Sequence, residues 1–326
     1  MKQPILVTGG AGYIGSHTCK ALASQGFTPV TLDNLSTGHR DFVQWGPLVE
    51  GDIDNLALVN QVVQDLRPLA VIHFAGLISV GESVSDPARY YQNNVVGSFH
   101  LFEALRSAGV NKIVFSSTAA CYGIPETYPV TEASPLLPIN PYGCTKLAME
   151  QMLQAYGPAY GCKSVIFRYF NACGADPACQ IGEAHEPETH LIPLALDVAL
   201  GRRKALIVNG QDYATPDGTC IRDYVHVADL AQAHLLAVQH LLQGGESLAC
   251  NLGLGQGHSV KEVAAAVSQV TGRPLACEFG PRRPGDPPVL VASADVAKSR
   301  LGFAAQHSSL DEIVATAWAW HQKRFG

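Results

Sequence analysis

Charge is scarce in this chain. Asp, Glu, Lys and Arg make up 15% of its 326 residues, against about 25% in an average soluble domain. Acidic residues outnumber basic ones, 28 to 22, for a formal net charge of -6. The basic residues build no stripe along the sequence, which excludes a nucleic-acid-binding surface; two or three arginines can still hold a small phosphorylated ligand. Long hydrophobic runs are missing as well. The most apolar stretch, Leu69–Val80, is interrupted by His73 and falls well short of the ~20 residues a membrane helix needs. The opening MKQPILVTGG runs into glycines before an apolar signal segment develops, so a cytoplasmic protein without a membrane partner is expected. The nine cysteines have no C-x-x-C spacing, and Cys173 and Cys179, six apart on a Gly/Pro-containing loop, fit neither a zinc knuckle nor a redox pair. Reduced thiols are the expectation. No repeat, low-complexity tract or long linker occurs. What the chain does have is apolar side chain, 47% of it, enough for a large core and too much for disorder.

At about 100–200 residues per domain, this length gives two domains or one large α/β unit. The first half alternates short apolar runs (Ile5–Thr8, Pro29–Leu32, Leu48–Glu50, Ala70–Phe74, Lys112–Ser116, Ser164–Tyr169) with helical-period segments (Gly15–Ser24, Ala57–Asp65, Ala88–Ala108, Tyr142–Tyr156). That alternation predicts a doubly wound parallel sheet, because each crossover helix returns the chain to the same edge. After about Asn171 the rhythm breaks. A loop rich in Gly, Pro, His and Glu, Gly174–Thr189, leads into a smaller mixed α/β domain packed at the carboxyl edge of the sheet. Within it, Ser259 with Glu262 and Ser309 with Glu312 match the S/T-x-x-E capping box. Residues 1–171 and 172–326 are the expected domains, with interleaved segments allowed for.

The first predicted strand runs straight into Gly9-Gly10-Ala11-Gly12-Tyr13-Ile14-Gly15 and a helix. The spacing is one residue longer than G-x-G-x-x-G, but the physics is shared: a tight turn, close backbone approach to a pyrophosphate, and a helix N-terminus aimed at its charge. Asp33 ends the second strand 21 positions after Gly12, where a ribose-binding acid belongs. An aspartate accepts from both ribose hydroxyls and repels a 2′-phosphate, so NAD is expected rather than NADP. After the fifth strand, Tyr142 and Lys146 stand one helical turn apart and share a face. A tyrosine near its usual pKa of ~10 is a poor base; a neighbouring ammonium and a positive nicotinamide ring would both favour the phenolate. Thr118 lies just past the strand Lys112–Ser116, at the edge where open α/β sheets bind ligands.

These motifs resemble the extended short-chain dehydrogenase/reductase superfamily and, within it, the UDP-glucose (UDP-galactose) 4-epimerases from end to end. The strings that carry the likeness include Leu32-Asp33-Asn34-Leu35, Gly51-Asp52-Ile53, His73-Phe74-Ala75-Gly76-Leu77, Arg168-Tyr169-Phe170-Asn171, Arg222-Asp223-Tyr224-Val225-His226 and Pro281-Arg282-Arg283-Pro284-Gly285-Asp286. The resemblance implies an isomerase. Tyr142 would take the sugar 4-hydroxyl proton while C4 gives hydride to tightly held NAD, Thr118 would bind that hydroxyl, and Lys146 would hold the nicotinamide ribose. The 4-keto sugar would turn over and take hydride back on its other face. By resemblance, NAD contacts fall on Gly9, Gly12, Tyr13, Ile14, Gly15, Asp33, Asn34, Asp52, Ile53, Phe74, Ala75, Gly76, Asn93 and Phe170, besides Tyr142 and Lys146. Contacts to a UDP-sugar fall on Thr118, Asn171, Arg222, Arg283, Asp286 and Leu290, with the arginines suited to the diphosphate. A homodimer built on Ala88–Ala108 and Tyr142–Tyr156 is implied too.

The chain departs from the family pattern at three places. Ile78 stands where many members carry a lysine near the cofactor phosphates, Thr118 replaces a frequent serine but keeps its hydroxyl, and His190 replaces an amide at a substrate contact. His185, Glu186, Glu188 and His190 crowd one loop, yet no helical H-E-x-x-H frame supports a metal. A substrate-covering loop and no metal is the expectation, with His73 a satisfied core histidine. Three rival functions share the fold. A UDP-N-acetylglucosamine 4-epimerase differs only in its pocket for the sugar 2-substituent, where Leu290 falls. A sugar-nucleotide 4,6-dehydratase needs an added acid and base after the strand-end threonine, where this chain has Ala119 and Ala120. A non-catalytic NAD sensor would not need the Tyr142/Lys146 pair.

Overall fold

A computed structural model describes residues 2–283 and 285–326; Met1 and Pro284, the latter inside the Pro281–Asp286 string, lie outside the described residues. The first strand, β1 (Pro4–Thr8), buries its last four residues, which demands cover on both faces. That cover comes from the helices α1 (Tyr13–Ser24) and α2 (Leu56–Leu66), which alternate with β2 (Thr28–Asp33), β3 (Leu48–Glu50) and β4 (Ala70–His73). The chain continues through α3 (Val80–Ser85), α4 (Pro87–Tyr90), α5 (Gly97–Ser107), β5 (Lys112–Thr118), α6 (Pro141–Tyr160) and β6 (Lys163–Tyr169). The second half adds β7 (Asn171–Cys173), α7 (Leu191–Ala199), β8 (Leu206–Asn209), β9 (Ile221–Arg222), β10 (Tyr224–His226), α8 (Val227–Leu242) and β11 (Leu248–Leu252). It ends with β12 (His258–Ser259), α9 (Val260–Thr271), β13 (Cys277–Gly280), β14 (Val289–Leu290), α10 (Asp295–Leu301) and α11 (Leu310–Phe325).

The main sheet has seven strands in the order β11-β6-β5-β4-β1-β2-β3, every neighbouring pair parallel. Strand order reverses between β1 and β4, and this switch point is where an open sheet leaves a crevice at its carboxyl edge. Alternation along β1 sends Ile5 and Val7 into a core under α1 and α8, and Leu6 into a core under α2, α5 and α6. The seventh strand, β11, comes from beyond Asn171 and pairs with β6, and α8 packs on α1. The sheet domain therefore draws its last crossover from residues 227–252, and the two halves interleave. The remaining second-half elements form small sheets, β10-β7, β12-β9-β14 and β13-β8, over a third core of α7, α9 and α11.

Two local expectations resolve differently in space. Residues 88–108, read as one helix, form α4 and α5 joined by a wide π turn over Tyr91–Val96, a distortion frequent near functional sites. Ser259 and Glu262 make a full capping box. Ser309 caps α11 through the Glu312 amide, but the Glu312 carboxylate turns to His307 Nδ1 at 2.7 Å. All nine cysteines are free thiols. His73 is fully buried, its two ring nitrogens 2.7 Å from Thr8 Oγ1 and 2.8 Å from Ser98 Oγ, and burial lowers its pKa to about 3.

Behind the carboxyl edge, α6 is pinned to the sheet by a buried ion pair. Arg168 Nε reaches both Glu150 oxygens, at 3.0 and 3.1 Å, and neither side chain is more than 3% exposed. Arg168 Nη1 also donates to the Tyr122 hydroxyl at 3.0 Å, which donates to Asn251 Oδ1 of β11 at 2.7 Å. Ser117 of β5 donates to Glu150. The network joins β5, α6, β6 and β11.

Candidate active site

The loop after β1 is shaped for an anion. Gly9 has φ +72°, and a Cβ there would stand 2.7 Å from the Ala75 nitrogen, so only glycine lets the β1 and β4 loops close on one another. A Cβ on Gly15 would strike the Gly9 carbonyl oxygen. No side chain caps α1 at Gly12, which leaves first-turn amides free for a phosphate. Asp33 is buried at the end of β2, where its Oδ2 accepts from the Ala11 amide and its Oδ1 from the Leu35 amide, both at 2.9 Å. Burial raises its pKa, and those two amides oppose the rise. The acid therefore braces the glycine loop as well as facing the position of a ribose.

The other residues read as cofactor contacts are held by local contacts of their own. Asn34 donates to Asp52 Oδ2 at 2.7 Å, and buried Ile53 packs under Gly97. Phe74 lies 4.7 Å from the His234 ring. A Cβ on Gly76 would approach Lys146 Nζ to 3.4 Å, so the β4 loop lies directly over the lysine. Ile14, Asn93 and Phe170 are half-buried, and Ile78 is exposed. Tyr13 turns its phenol away, donating to the Gly174 carbonyl at 2.5 Å, so the cofactor contact implied for it falls to its backbone. One residue escaped the sequence reading. Asn94, fully buried by the π turn, accepts from the Leu77 amide at 2.8 Å and donates to the Leu77 carbonyl at 3.0 Å and Thr145 Oγ1 at 3.1 Å. It fixes the β4 loop to α6.

Thr118 is the last residue of β5, and Tyr142 is the second of α6, whose start is set by Pro141 and by Asn140 Oδ1 accepting from Gly143 N at 2.9 Å. The Thr118 hydroxyl accepts from the Ala120 amide at 3.1 Å and lies near enough to the Tyr142 phenol to favour its ionised form. Lys146 is 2% exposed and donates to the Ser116 carbonyl at 3.2 Å, with Nζ 6.0 Å from the centre of the Tyr142 ring. The three expected catalytic side chains therefore meet at one strand end. Their protonation differs from the sequence expectation. Burial pushes Tyr142 up to about 12, with Thr118 opposing, and pulls Lys146 down to about 8. The ammonium does not lower the phenol in the protein alone.

On the second half, Asn171 Nδ2 donates to the Asp223 carbonyl at 2.8 Å, holding β7 to β10. Arg222 pairs with Asp286, and Leu290 sits opposite Arg222 in the β9–β14 register. Arg283 is exposed, and the Asn209 amide oxygen can accept from its Nη2 and Nε at 3.2 and 3.1 Å. His190 caps α7. Burial works against its charge, but Glu183 and Glu188 outweigh that and raise its pKa to about 10. Here the structure goes beyond the sequence reading: Glu183, His185, Glu188 and His190 converge from one loop, with ligating atoms all within 4.8 Å of one another. The missing helical frame does not decide whether they take a cation.

The model of the NAD dependent epimerase/dehydratase family matches residues 5–253. The chain belongs to that family. It is 53% identical, over 98% of both chains, to a UDP-glucose 4-epimerase of Rhizobium leguminosarum bv. trifolii. It superposes with TM-score 0.95 on the UDP-glucose 4-epimerase of Brucella ovis in complex with NAD, at 52% identity over 97% of this chain and 98% of that one. The enzyme of Stenotrophomonas maltophila, solved with NAD and a formylated UDP-arabinopyranose, gives TM-score 0.95 at 39% identity over 98% of each chain. The family's NAD has its features here: a cradle that a Cβ would fill, an uncapped helix start, and a buried carboxylate at the ribose position.

Lys146 carries a stability consequence. Its folded pKa, about 8, lies below its ordinary 10.5, so between those values the unfolded chain binds more protons and stability rises with pH. Below about 8 the penalty for burying the ammonium is complete. In cofactor-free protein, Lys146→Met should gain ~1–3 kcal/mol near neutral pH, with the difference from the parent closing as pH rises through that interval. Urea midpoints across the range measure this, and a constant difference would place the effect elsewhere.

Proposed function

We propose that the chain interconverts UDP-galactose and UDP-glucose by oxidising the sugar at C4 to a 4-keto intermediate and reducing it again from the other face. The observation that carries this reading is the meeting of Thr118, Tyr142 and Lys146 at the end of β5, beside the glycine cradle. NAD held in that cradle supplies the hydride acceptor and donor. Tyr142 takes the proton of the 4-hydroxyl and returns it. Thr118, beside the phenol, orients that hydroxyl, and Lys146 turns from the Ser116 carbonyl to the nicotinamide ribose. Arg222 and Arg283 receive the diphosphate, with Asn171, His190, Asp286 and Leu290 around the nucleotide and sugar. Ala119 and Ala120 have no proton to give, which sets 4,6-dehydration aside.

Residues 1–171 with the borrowed 227–252 would hold the cofactor, and the rest of 172–326 the UDP-sugar. Among the described residues, no helix is long and apolar enough to cross a membrane, and nine free thiols suit a reducing, cytoplasmic setting.

Tyr142→Phe should keep the fold and bound NAD yet lose ~10²–10⁴-fold in turnover, the usual worth of a general acid–base. Conversion of UDP-galactose without added cofactor is the assay, and near-normal turnover would remove Tyr142 from this role.

By resemblance, Leu290 falls at the position beside the sugar 2-substituent. Forcing an N-acetyl group against a packed, branched side chain costs roughly 1–3 kcal/mol, or about 5–150-fold in rate when felt in the transition state. UDP-galactose should therefore exceed its N-acetylated analogue in kcat/KM by that margin, and Leu290→Gly should narrow it. Equal values in the parent would mean Leu290 does not gate the site.

A homodimer through α4, α5 and α6 fits the apolar surface they leave open, where Tyr91 of the π turn and Phe99 of α5 are each 45% exposed. Light scattering should give a particle of twice 34.7 kDa; a species of single-chain mass at micromolar concentration would count against it.

A further inference from the structure

The reaction leaves one group of ionisable side chains without a complete account. Glu183, His185, Glu188 and His190 all lie on the segment between β7 and α7, and they point inward at a common centre. His185 Nδ1 stands 3.2 Å from Glu183 Oε1 and 3.9 Å from Glu188 Oε2. His190 Nδ1 stands 2.8 Å from the same Glu183 oxygen and 3.1 Å from Glu188 Oε1. Around a tetrahedral ion with bonds of about 2.0–2.1 Å, ligand atoms are separated by about 3.3 Å. The four imidazole–carboxylate separations, 2.8 to 3.9 Å, bracket that value, and all the ligating atoms lie within 4.8 Å of one another. Both imidazoles present the same ring nitrogen to a single carboxylate oxygen, an arrangement in which one cation satisfies all four groups at once. Once a metal displaces the proton shared by His190 and its carboxylates, two carboxylates and two neutral imidazoles would carry a formal charge of minus two, which cancels a divalent ion.

The ligands are also held from outside. Glu183 is 6% exposed, and its carbonyl accepts from Trp320 Nε1 at 2.8 Å. The neighbouring Ala184 carbonyl is bound by His39 Nε2 at 2.7 Å. The His185 ring meets Tyr13 edge-on with centres 6.2 Å apart. Glu188 Oε1 accepts from the Thr189 and His190 amides at 2.7 and 2.8 Å, which aims its carboxylate at the centre. Such outer contacts orient metal ligands before the ion arrives. A mixed imidazole and carboxylate set favours a borderline ion over calcium or magnesium, which take oxygen donors. With four protein ligands the site is closed and structural.

We propose that Glu183, His185, Glu188 and His190 bind one zinc ion, which staples the loop 174–189 to the start of α7. The E-x-H-x-x-E-x-H spacing is the trace of this site in the sequence. The double variant His185→Ala/Glu188→Gln tests it. That variant keeps all nine cysteines, so zinc held by thiols appears equally in variant and parent. Both proteins are stripped with a chelator, titrated with zinc chloride and analysed for bound metal by mass spectrometry, with melting followed in parallel. The parent should hold one more equivalent of zinc than the variant. Loss of an outer partner alone weakens a metal about 10–100-fold, so loss of two ligands should weaken this one by more than about 100-fold. Zinc should raise the melting temperature of the parent only. Equal uptake and equal melting shifts, or no uptake by the parent at micromolar zinc, would overturn the site. Cobalt loading of the parent gives a reading that needs no variant. Tetrahedral d–d absorption without a thiolate charge-transfer band supports the assignment, and a thiolate band places the metal on cysteine and overturns it.

Discussion

The Glu150–Arg168 pair holds the catalytic geometry in place. Tyr142, Lys146 and Glu150 are spaced four apart on α6 and so share one face of it. The innermost of the three is locked by a two-oxygen contact to Arg168 of β6, and the other two are thereby set against the end of β5. Desolvating two charges costs several kcal/mol per ion, and an apolar pair of similar volume is often as stable. Stability alone is therefore a poor account of the pair. Its extension through Tyr122 to Asn251 of β11 shows what it does: it registers the helix that carries the acid–base against strands from both halves of the chain. Removal of one member would leave an uncompensated buried charge in the wall of the site.

The same burial that fixes the site sets its charge. Tyr142 is pushed toward the phenol and Lys146 toward the amine, both chiefly by desolvation. At neutral pH that leaves Tyr142 a phenol, while Lys146 stays largely an ammonium. A positive charge brought to this spot would favour the phenolate through space, and low local polarity strengthens that attraction. On the proposed mechanism, Tyr142 would therefore depend on the oxidised cofactor for its phenolate form.

Much of this was legible in the sequence because it is local. The strands of the first half, the glycine loop, Asp33 and the Tyr142/Lys146 pair each follow from spacing within one or two elements. What spacing does not show depends on how the chain packs. Leu248–Leu252 lies beyond the point where the strand–helix rhythm breaks, and nothing in it names β6 as its neighbour. Asn93 and Asn94 are indistinguishable along a regular helix; the π turn decides that Asn94 is the buried one. Glu312 looks like half of a capping box until His307 folds against it. Tyr13 reads as a cofactor contact, yet its phenol holds Gly174, 161 positions away. The crowded charges of 183–190 were visible as letters, and their convergence was not, because it depends on how a loop closes over α1.

The two ligand sites differ in how they are built. The cofactor cradle is made of the main sheet, with backbone contacts that a single Cβ would break and carboxylate bonds to buried amides. Of the residues read as substrate contacts, Arg222 and Leu290 sit on two-residue strands, and several satisfy one another or a neighbour: Arg222 holds Asp286, and Arg283 faces Asn209. A diphosphate has to compete with Asp286 for Arg222, and the two anions repel. A preformed site keeps its ligand and an internally satisfied one releases it with little cost. That asymmetry is what a reaction needs when its redox partner must stay through oxidation and reduction while sugar nucleotides come and go.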